Sequence, residues 1–462
     1  MITFDQILPN LTDLLTDQSV VLPEEYYPIL INRDLNGRIR LILDAQHKEV
    51  WENLWTSNTS GHPLQQLAQS ICDRLKPHTW SVEQLLLFED DIEQFIESSV
   101  TFPLSDQKDD SIPGIHVVDR LATESTWSSI SEPIKYIHRF VFYSIKGGVG
   151  RSTALAACAL SMCSMGERVL VLDLDLESPG TSLLPEDRQP AFGITDWLVE
   201  DLVDNGDSII NNIQAQSPLP RQGRIFVVPA HGRTPGEYIS KLGRVWMPSF
   251  LEDGSRQIWS KRLARLIDKL QERYRPDYVL IDSGSGINEL ASACLTDLGA
   301  SRIYLFAQDN VQTWSGYRLL FEHWQQTGVA SKIRERLKLV AAMQPAAMMS
   351  IEDGKFYDSA ADFREKAYDI FRETLYDNGR RNRSSNFSFD LNDQKAPHYP
   401  CSIPWDQNFA NVKSIHRLMA AMKKSKTSLH RQIVYGQLIN QMTNDILNFY
   451  RHDSEVLSVQ RR

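Results

Sequence analysis

The sequence of 462 residues has few of the features that mark a secreted, disulfide-linked or membrane-spanning protein. It has only five cysteines and no Cys-x-x-Cys pair, so buried free thiols are expected rather than disulfides or a zinc site. The N-terminal segment contains acidic residues and no uninterrupted apolar stretch, unlike a signal peptide. The longest apolar stretch, 154–165, is well short of a membrane span. These absences predict a cytoplasmic location.

An excess of positive charge is also missing. Lysine and arginine number 49 against 59 aspartate and glutamate residues, which gives a formal net charge of -10. This balance argues against a protein whose whole surface binds nucleic acid, although it leaves room for local basic patches. A hydrophobic content of 42% is ordinary for a globular protein, and the length allows two or three domains with a substantial core.

Residues 1–135 are predicted to form a separate α+β module. Apolar runs at 29–31 and 39–43 flank the pair Asn36-Gly37. This pair is the strongest short-range signal for a β-hairpin because both residue types tolerate positive φ. The sequence therefore predicts two antiparallel strands near the start of the chain.

Two helices and an exposed connection are predicted in the rest of this module. Apolar residues occur in helical patterns at 64–71 and at 85–96. The polar stretch 105–111 is followed by Pro113-Gly114, which is typical of an exposed loop or linker. No constellation of catalytic residues appears in this module.

From residue 136 onward, the pattern changes to strands that alternate with helices. Short, nearly continuous apolar runs are typical of a parallel sheet that is covered on both faces. The predicted strands are 139–145, 168–173, 225–229, 277–282, 302–307 and 337–342. Helical segments lie between them, including 261–274 and 313–327. The predicted architecture is a doubly wound, mostly parallel α/β domain.

This α/β domain is predicted to be interrupted once. Residues 136–345 would form its first part, and residues 397–462 would complete it. The more polar stretch 346–396 is interpreted as an insertion or cap that is partly helical near 362–376. A final helix is predicted at 429–450, and its few basic residues favour core packing or a partner helix over membrane binding.

A glycine-rich segment lies between the first predicted strand of this domain and a helix. Its residues are Lys146, Gly147, Gly148, Val149, Gly150, Arg151, Ser152 and Thr153. Three glycines let backbone N–H groups turn toward an anion, and the following helix adds its positive N-terminal end. The hydroxyl of Ser152 can bind a magnesium ion. The segment therefore predicts a phosphate-binding loop, with Arg151 where such loops normally carry lysine.

Carboxylates end two of the predicted strands. Asp173 and Asp175 follow one buried strand at alternate positions, and Asp282 ends another. Because the carboxyl ends of parallel strands line the ligand crevice, these acids are expected to converge on the glycine loop. Asp282 can hold magnesium through a water, Asp173 can support the same metal shell, and Asp175 can orient the attacking water. The alternative is that Asp173 and Asp175 only cap a strand end.

Together these segments resemble the deviant-Walker-A ATPases of the ParA/MinD type, within the SIMIBI class of P-loop NTPases. The resemblance rests on the glycine loop, the Asp173-Leu-Asp175 strand end and the Asp282-Ser-Gly segment. A late segment, Ser402 to Asp406, resembles the family's Ile-Pro-x-Asp sequence that closes the nucleotide pocket. The similarity covers 136–345 and 397–450 and does not extend to the N-terminal module.

The resemblance implies a set of roles. The ligands would be ATP and Mg²⁺, with the nucleotide bound by residues 146–153 and by Pro404 and Asp406. Magnesium would be bound by Ser152, Asp173 and Asp282. The catalytic residues would be Lys146, which reaches the partner's nucleotide across an ATP-dependent homodimer, together with Arg151 and Asp175. Slow hydrolysis would then reset a molecular switch that acts on an unknown protein partner.

The sequence departs from this family at two positions. Arg151 replaces the second lysine of the loop, and Gln344 lies near the position where many relatives use asparagine to read adenine. Arginine keeps the charge, so phosphate binding should survive, but its planar fork can misplace the terminal phosphate in the transition state. Two activities therefore stay open: a slow ATPase, and a regulatory scaffold that binds nucleotide without hydrolysis.

A third hypothesis is a DNA-associated partitioning or positioning ATPase. Three basic clusters are candidates for non-specific phosphate contacts. They are Arg334, Arg336 and Lys338; Arg380, Arg381 and Arg383; and Lys423, Lys424 and Lys426. The alternative is that these residues are solvated helix faces and loops. Membrane association is not expected from the sequence.

Overall fold

The computed structural model describes residues 2–16, 22–56, 61–105, 111–121, 126–180, 183–219, 223–250, 254–344, 349–352, 355–377 and 387–405. The chain divides into two compact units. The first comprises Met1–Ser129 with His323–Val329, and the second comprises Ile130–Glu322 with Ala330–Arg462. Within the described ranges, no helix is long and apolar enough to cross a bilayer.

The first unit is built around a five-stranded sheet in the order β3-β2-β1-β5-β4. Its strands are β1 (Ile29–Arg33), β2 (Ile39–Asp44), β3 (Leu86–Glu89), β4 (Thr101–Ser105) and β5 (Ser111–Asp119). Its helices are α1 (Ile7–Thr16), α2 (Lys48–Thr56), α3 (Pro63–Leu75) and α4 (Ile92–Ser98). Side chains of α1 and α3 pack with those of the central strands into one apolar core.

The predicted hairpin is confirmed. β1 and β2 pair antiparallel, and the turn between them contains Gly37 at φ +77°. The Asp34 carboxylate accepts hydrogen bonds from the backbone N–H groups of Asn36 and Arg38, both at 2.9 Å. The turn therefore depends on a residue that tolerates positive φ and on an aspartate that binds the backbone of its own loop.

Two predictions for the first unit are wrong. The apolar run at 85–96 is not one helix, because β3 pairs parallel with β2 and α4 begins only at Ile92. A short apolar run is compatible with either a strand or a helix, and here pairing with β2 decides. Pro113-Gly114 lies within β5 rather than in a linker. Pairing of β5 with β1 begins only at Ile115, so the missing N–H of proline interrupts no bond between these two strands.

The second unit contains an eight-stranded sheet in the order β17-β14-β13-β6-β12-β7-β9-β8. The strands of this unit are β6 (His138–Ser144), β7 (Arg168–Asp173), β8 (Ala215–Gln216), β9 (Arg224–Val228), β10 (Ser249–Phe250), β11 (Arg256–Gln257), β12 (Tyr278–Ser285), β13 (Arg302–Ala307), β14 (Leu337–Gln344), β15 (Met349–Glu352), β16 (Lys355–Asp358) and β17 (Cys401–Pro404). All neighbours in the large sheet are parallel except β8 and β9. The predicted doubly wound, mostly parallel fold is confirmed.

Helices connect these strands. They are α5 (Arg151–Ser164), α6 (Ile194–Glu200), α7 (Gly206–Ile209), α8 (Tyr238–Leu242), α9 (Trp259–Tyr274), α10 (Glu289–Ser292), α11 (Val311–Gln326), α12 (Ala330–Ile333) and α13 (Ser359–Thr374). All six predicted strands are present, with ends that differ by at most a few residues. The reason is that central strands are buried on both faces, and every residue of β6 is buried.

Strand order determines where a ligand can bind. β6 lies between β12 and β13, while the chain leaves it through α5 and returns in β7, on the far side of β12. The connection after β12 runs in the opposite direction, to β13 on the far side of β6. Where two connections diverge in this way, a crevice opens at the carboxyl ends of the strands. The glycine loop lies at this edge, directly after β6.

Several predictions concern residues outside the described ranges. These are Asp406, the basic clusters Arg380, Arg381, Arg383 and Lys423, Lys424, Lys426, and the final helix at 429–450. The described part of the predicted insertion includes the hairpin of β15 with β16 and the helix α13. The helix predicted near 362–376 is therefore confirmed, and it begins a few residues earlier than expected.

Candidate nucleotide site

The glycine loop joins the buried strand β6 to α5. Gly148 has φ +73° and Gly150 has φ +83°, values that favour glycine. Gly150 is the N-cap of α5, and it supplies no side-chain hydrogen bond to the helix end. The first N–H groups of α5 therefore remain oriented toward the loop, which is the arrangement that binds anions at helix N-termini.

The surroundings of the loop leave space on one side. A Cβ atom added at Gly148 would meet no described atom within 4 Å, whereas one at Gly147 would lie 3.5 Å from the Ser285 hydroxyl. Val149 is buried, at 2% exposed, and fixes the middle of the loop to the core. Lys146 is exposed. The loop is thus fixed to the core through Val149 and open to solvent at Gly148, and the Lys146 side chain is exposed.

Arg151 is turned into the protein. Its side chain is 7% exposed, and its Nη2 lies 2.7 Å from Oδ2 of Asp175. Its Nε donates to Oδ1 of Asp282, and its Nη1 donates to the Ser144 hydroxyl at 3.1 Å and to the Gly284 carbonyl. The guanidinium therefore connects the ends of β6, β7 and β12. The structure brings the predicted residues Arg151, Asp175 and Asp282 into direct contact.

The charges in this cluster stabilise each other. Burial opposes the charge of Arg151, but the carboxylates of Asp282 and Asp175 raise its pKa above the usual value. Burial raises the pKa of Asp282, while Arg151 and a hydrogen bond from the Ser152 hydroxyl act in the opposite direction. A buried pair of this kind is weak evidence for net stability, yet removal of one partner leaves an uncompensated buried charge. Substitution of Arg151 or of Asp282 alone should therefore destabilise the protein, because the remaining charge would be buried without a partner.

Asp173 occupies a different position from the other two acids. It lies beside Asp282 in the register of β7 and β12, and its two carboxylate oxygens accept hydrogen bonds from the backbone N–H groups of Asp175 at 3.2 Å and Gly180 at 3.1 Å. Burial, followed by the charge of Asp282, raises the pKa of Asp173 to about 7. Its contacts fix the segment that carries Asp175, and its predicted place in a magnesium shell stays a prediction.

Three residues around these acids were assigned no role from the sequence. Ser144 and the Gly284 carbonyl bind Arg151 directly, and the Tyr238 hydroxyl donates to the Leu176 carbonyl at 2.8 Å, next to Asp175. Gly284 had a detectable signal, because a glycine two residues after Asp282 on a strand suggests close backbone approach. Tyr238 had none, since 62 positions separate it from its acceptor.

The late segment lies farther along the sheet. Pro404 ends β17, beside Gln344 in the register with β14, and two further strands separate β14 from β12. Strand β14 also reaches the glycine loop through Met343, since a Cβ added at Gly150 would lie 3.8 Å from the Met343 methyl group. The roles predicted for Pro404 and for Asp406, which lies outside the described ranges, stay predictions.

Residues 140–457 match the sequence profile of the CobQ/CobB/MinD/ParA nucleotide binding domain. The chain belongs to this family. The ParA/MinD-type resemblance of the glycine loop and strand-end acids is thereby confirmed at the level of the family, whose ParA and MinD members are P-loop ATPases. The profile begins within β6 and includes the loop, all three acids and the late segment.

Several solved structures are similar to this chain at low sequence identity. Among those that resemble this chain are a MinC:MinD cell division complex of Aquifex aeolicus (15% identity, 67% of this chain and 96% of that one, TM-score 0.40) and MinD with Mg-ADP from Pyrococcus horikoshii (16%, 66% and 96%, TM-score 0.38). Another is pNOB8 ParA bound to nonspecific DNA (14%, 69% and 99%, TM-score 0.39). A search of curated proteins found no match to this chain.

The residues at the site fit the ligands of a MinD/ParA nucleotide binding domain. Magnesium usually takes one or two protein oxygens and completes its shell with water and phosphate oxygens. The Ser152 hydroxyl and the Asp282 carboxylate, already joined by a hydrogen bond, are such a pair. Across the described ranges, no group of three or more His, Cys, Asp or Glu side chains is arranged around a common point.

Proposed function

We propose that the chain is a cytoplasmic, ATP-dependent molecular switch that binds ATP with Mg²⁺, hydrolyses it slowly and dimerises to control a partner protein. One observation carries this proposal. The open glycine loop and the uncapped N-terminus of α5 lie at the same edge of the sheet as Asp175 and Asp282. A phosphate-binding loop beside strand-end carboxylates is the arrangement that phosphoryl transfer requires.

Each group at the site has a role that follows from its chemistry. The loop N–H groups would bind phosphate oxygens, and Ser152 with Asp282 would hold the metal. Bound Mg²⁺ would neutralise charge on the phosphates. Asp175 is the more exposed of the two acids that pair with Arg151, since 17% of its side chain is exposed. It would hold the attacking water and accept its proton. The exposed Lys146 would contact the nucleotide of a second copy of the chain.

The contacts of Arg151 favour a second candidate, a nucleotide-binding regulatory scaffold without hydrolysis. Its guanidinium donates to Asp175, the residue that would position water. While this ion pair persists, Oδ2 of the carboxylate accepts from the guanidinium and is not free to hold a water. The two candidates share a ligand and differ in turnover, so they are separated by phosphate release.

The DNA-associated hypothesis gains no support from the described basic cluster. Arg334 pairs with Asp377 at 2.7 Å, and the Arg336 Nη1 donates to the Ser131 carbonyl at 2.7 Å. The Lys338 ammonium donates to two backbone carbonyls, those of Gln394 and Ala396. These cations bind acceptors of the protein itself, which favours the structural interpretation of this cluster.

Dimerisation can be measured by light scattering on the full chain. With ATP and Mg²⁺, we expect a mass twice the 52.8 kDa of one chain, and with ADP or without nucleotide the mass of one chain. Lys146→Ala should keep ATP binding and lose the dimer, because its side chain is exposed and makes no contribution to the Arg151 cluster. An identical mass with ATP, with ADP and without nucleotide would contradict the switch.

A further inference from the structure

We propose that the guanidinium of Arg151 acts as an internal cation between the carboxylates of Asp175 and Asp282, and that Mg²⁺ must displace it from Asp282 to bind that carboxylate. This inference deepens the proposed function and rests on it for the identity of the metal. It assigns Arg151 a role beyond phosphate contact. Mg²⁺ would bind only in those molecules in which Arg151 has released the carboxylate of Asp282.

The contacts of the guanidinium carry the inference. Three of its nitrogen atoms donate to four acceptors, two of which are the carboxylates and two of which are neutral oxygens of Ser144 and Gly284. Its side chain is 7% exposed, and those of Asp175 and Asp282 are 17% and 9% exposed. A planar fork matches two carboxylates held by separate strands, whereas the point charge of a lysine does not.

Competition with Mg²⁺ follows from shared oxygens. Asp282 accepts from Arg151 and from Ser152, which are the cation now present and the second ligand that a metal would use. Two neighbouring carboxylates repel each other unless a cation lies between them. The Asp282 carboxylate can therefore bind either the guanidinium or a hard divalent ion. It cannot bind both through the same oxygen, because the N–H group of the guanidinium occupies it.

This arrangement has a consequence for affinity. If the metal-binding conformation requires release of Arg151, only the released fraction of molecules binds Mg²⁺, and the apparent affinity falls by that fraction. Substitution of Arg151 should therefore expose a metal site that the wild-type chain keeps closed. The effect concerns the metal alone and can be measured without nucleotide.

Thermal unfolding of the full chain with MgCl₂ as the only ligand tests the proposal. Arg151→Met keeps the length of the side chain and removes its charge, so the variant should unfold at a lower temperature than wild type in NaCl. Saturating MgCl₂ should raise its midpoint by about 5 °C or more relative to NaCl of equal ionic strength. The wild-type midpoint should not differ between the two salts.

Two further variants make the result specific. Arg262→Met removes another buried arginine, paired with Asp201 at 2.8 Å and distant in sequence from the loop, and should show no magnesium response. Asp282→Asn added to Arg151→Met should abolish the response. If Arg151→Met does not fold, Arg151→Lys replaces it, with a smaller rise expected because one ammonium cannot pair both carboxylates as the fork does.

Either of two results would overturn the proposal. One is an equal rise for wild type and variant, which would show that the metal binds beside Arg151. The other is a folded variant without any rise. Neither depends on ATP, so failure of this inference is distinct from failure of nucleotide binding, and loss of ATP binding would leave the magnesium result intact.

Discussion

Gly148→Val should weaken ATP binding by about 100-fold or more, which corresponds to about 2.7 kcal/mol of binding free energy. Gly148 has φ +73°, a backbone conformation that favours glycine, and an added Cβ would point to the open side of the loop, where it meets no described atom within 4 Å. A valine side chain would fill the space that a phosphate needs and would disfavour the left-handed backbone. Isothermal titration calorimetry with ATP and Mg²⁺ measures the loss.

Gly166 provides a matched control for the backbone strain. It has φ +98°, and a Cβ there would also meet no described atom within 4 Å, but it follows α5 at the end opposite the loop. Gly166→Val should reduce thermal stability as much as Gly148→Val does and leave ATP affinity unchanged. Equal affinity loss in both variants would show that strain, rather than the phosphate space, explains the effect.

Asp175→Asn should reduce the rate of phosphate release by about 100-fold or more while ATP binding stays within a few-fold of wild type. The carboxylate lies at the end of β7, and its other oxygen accepts the Ser178 N–H at 3.2 Å, which orients it toward Arg151 and the loop. Asparagine keeps the shape and can no longer accept a proton. The control Glu177→Gln changes an exposed acid two residues away and should leave the rate unchanged.

The same assay separates the two candidate activities. If wild type and Asp175→Asn release phosphate equally slowly, at the background rate and across partners and salt concentrations, the chain is a nucleotide-binding scaffold. If only wild type turns over, the pair of Arg151 and Asp175 must open during the cycle, because the carboxylate oxygen that accepts from the guanidinium cannot hold the attacking water at the same time.

The elements of the second unit were predictable from sequence for a physical reason. Strands buried on both faces, such as β6 and β12, need continuous apolar runs, and the glycine loop between β6 and α5 needs residues without side chains. In the first unit, β3 was mistaken for part of a helix because its four residues show no period of their own. Pairing with β2 supplied the information that the local pattern lacked.

The direction of Arg151 could not be predicted in the same way. Its position in the loop suggested a cation for phosphate, and its charge is indeed retained. The side chain instead meets Asp175 and Asp282, because the order of β6, β12 and β7 in the sheet places both acids beside the start of α5. Contacts between residues separated by 24 and 131 positions depend on this topology and leave no local pattern.

Equilibrium titration of ATP into the full wild-type chain with Mg²⁺ tests the central claim most directly. The account predicts saturable binding of one ATP per chain, competition by ADP, and loss of binding in Gly148→Val but not in Gly166→Val. Absence of saturable binding to folded wild-type protein would contradict the assignment of the loop as a nucleotide site.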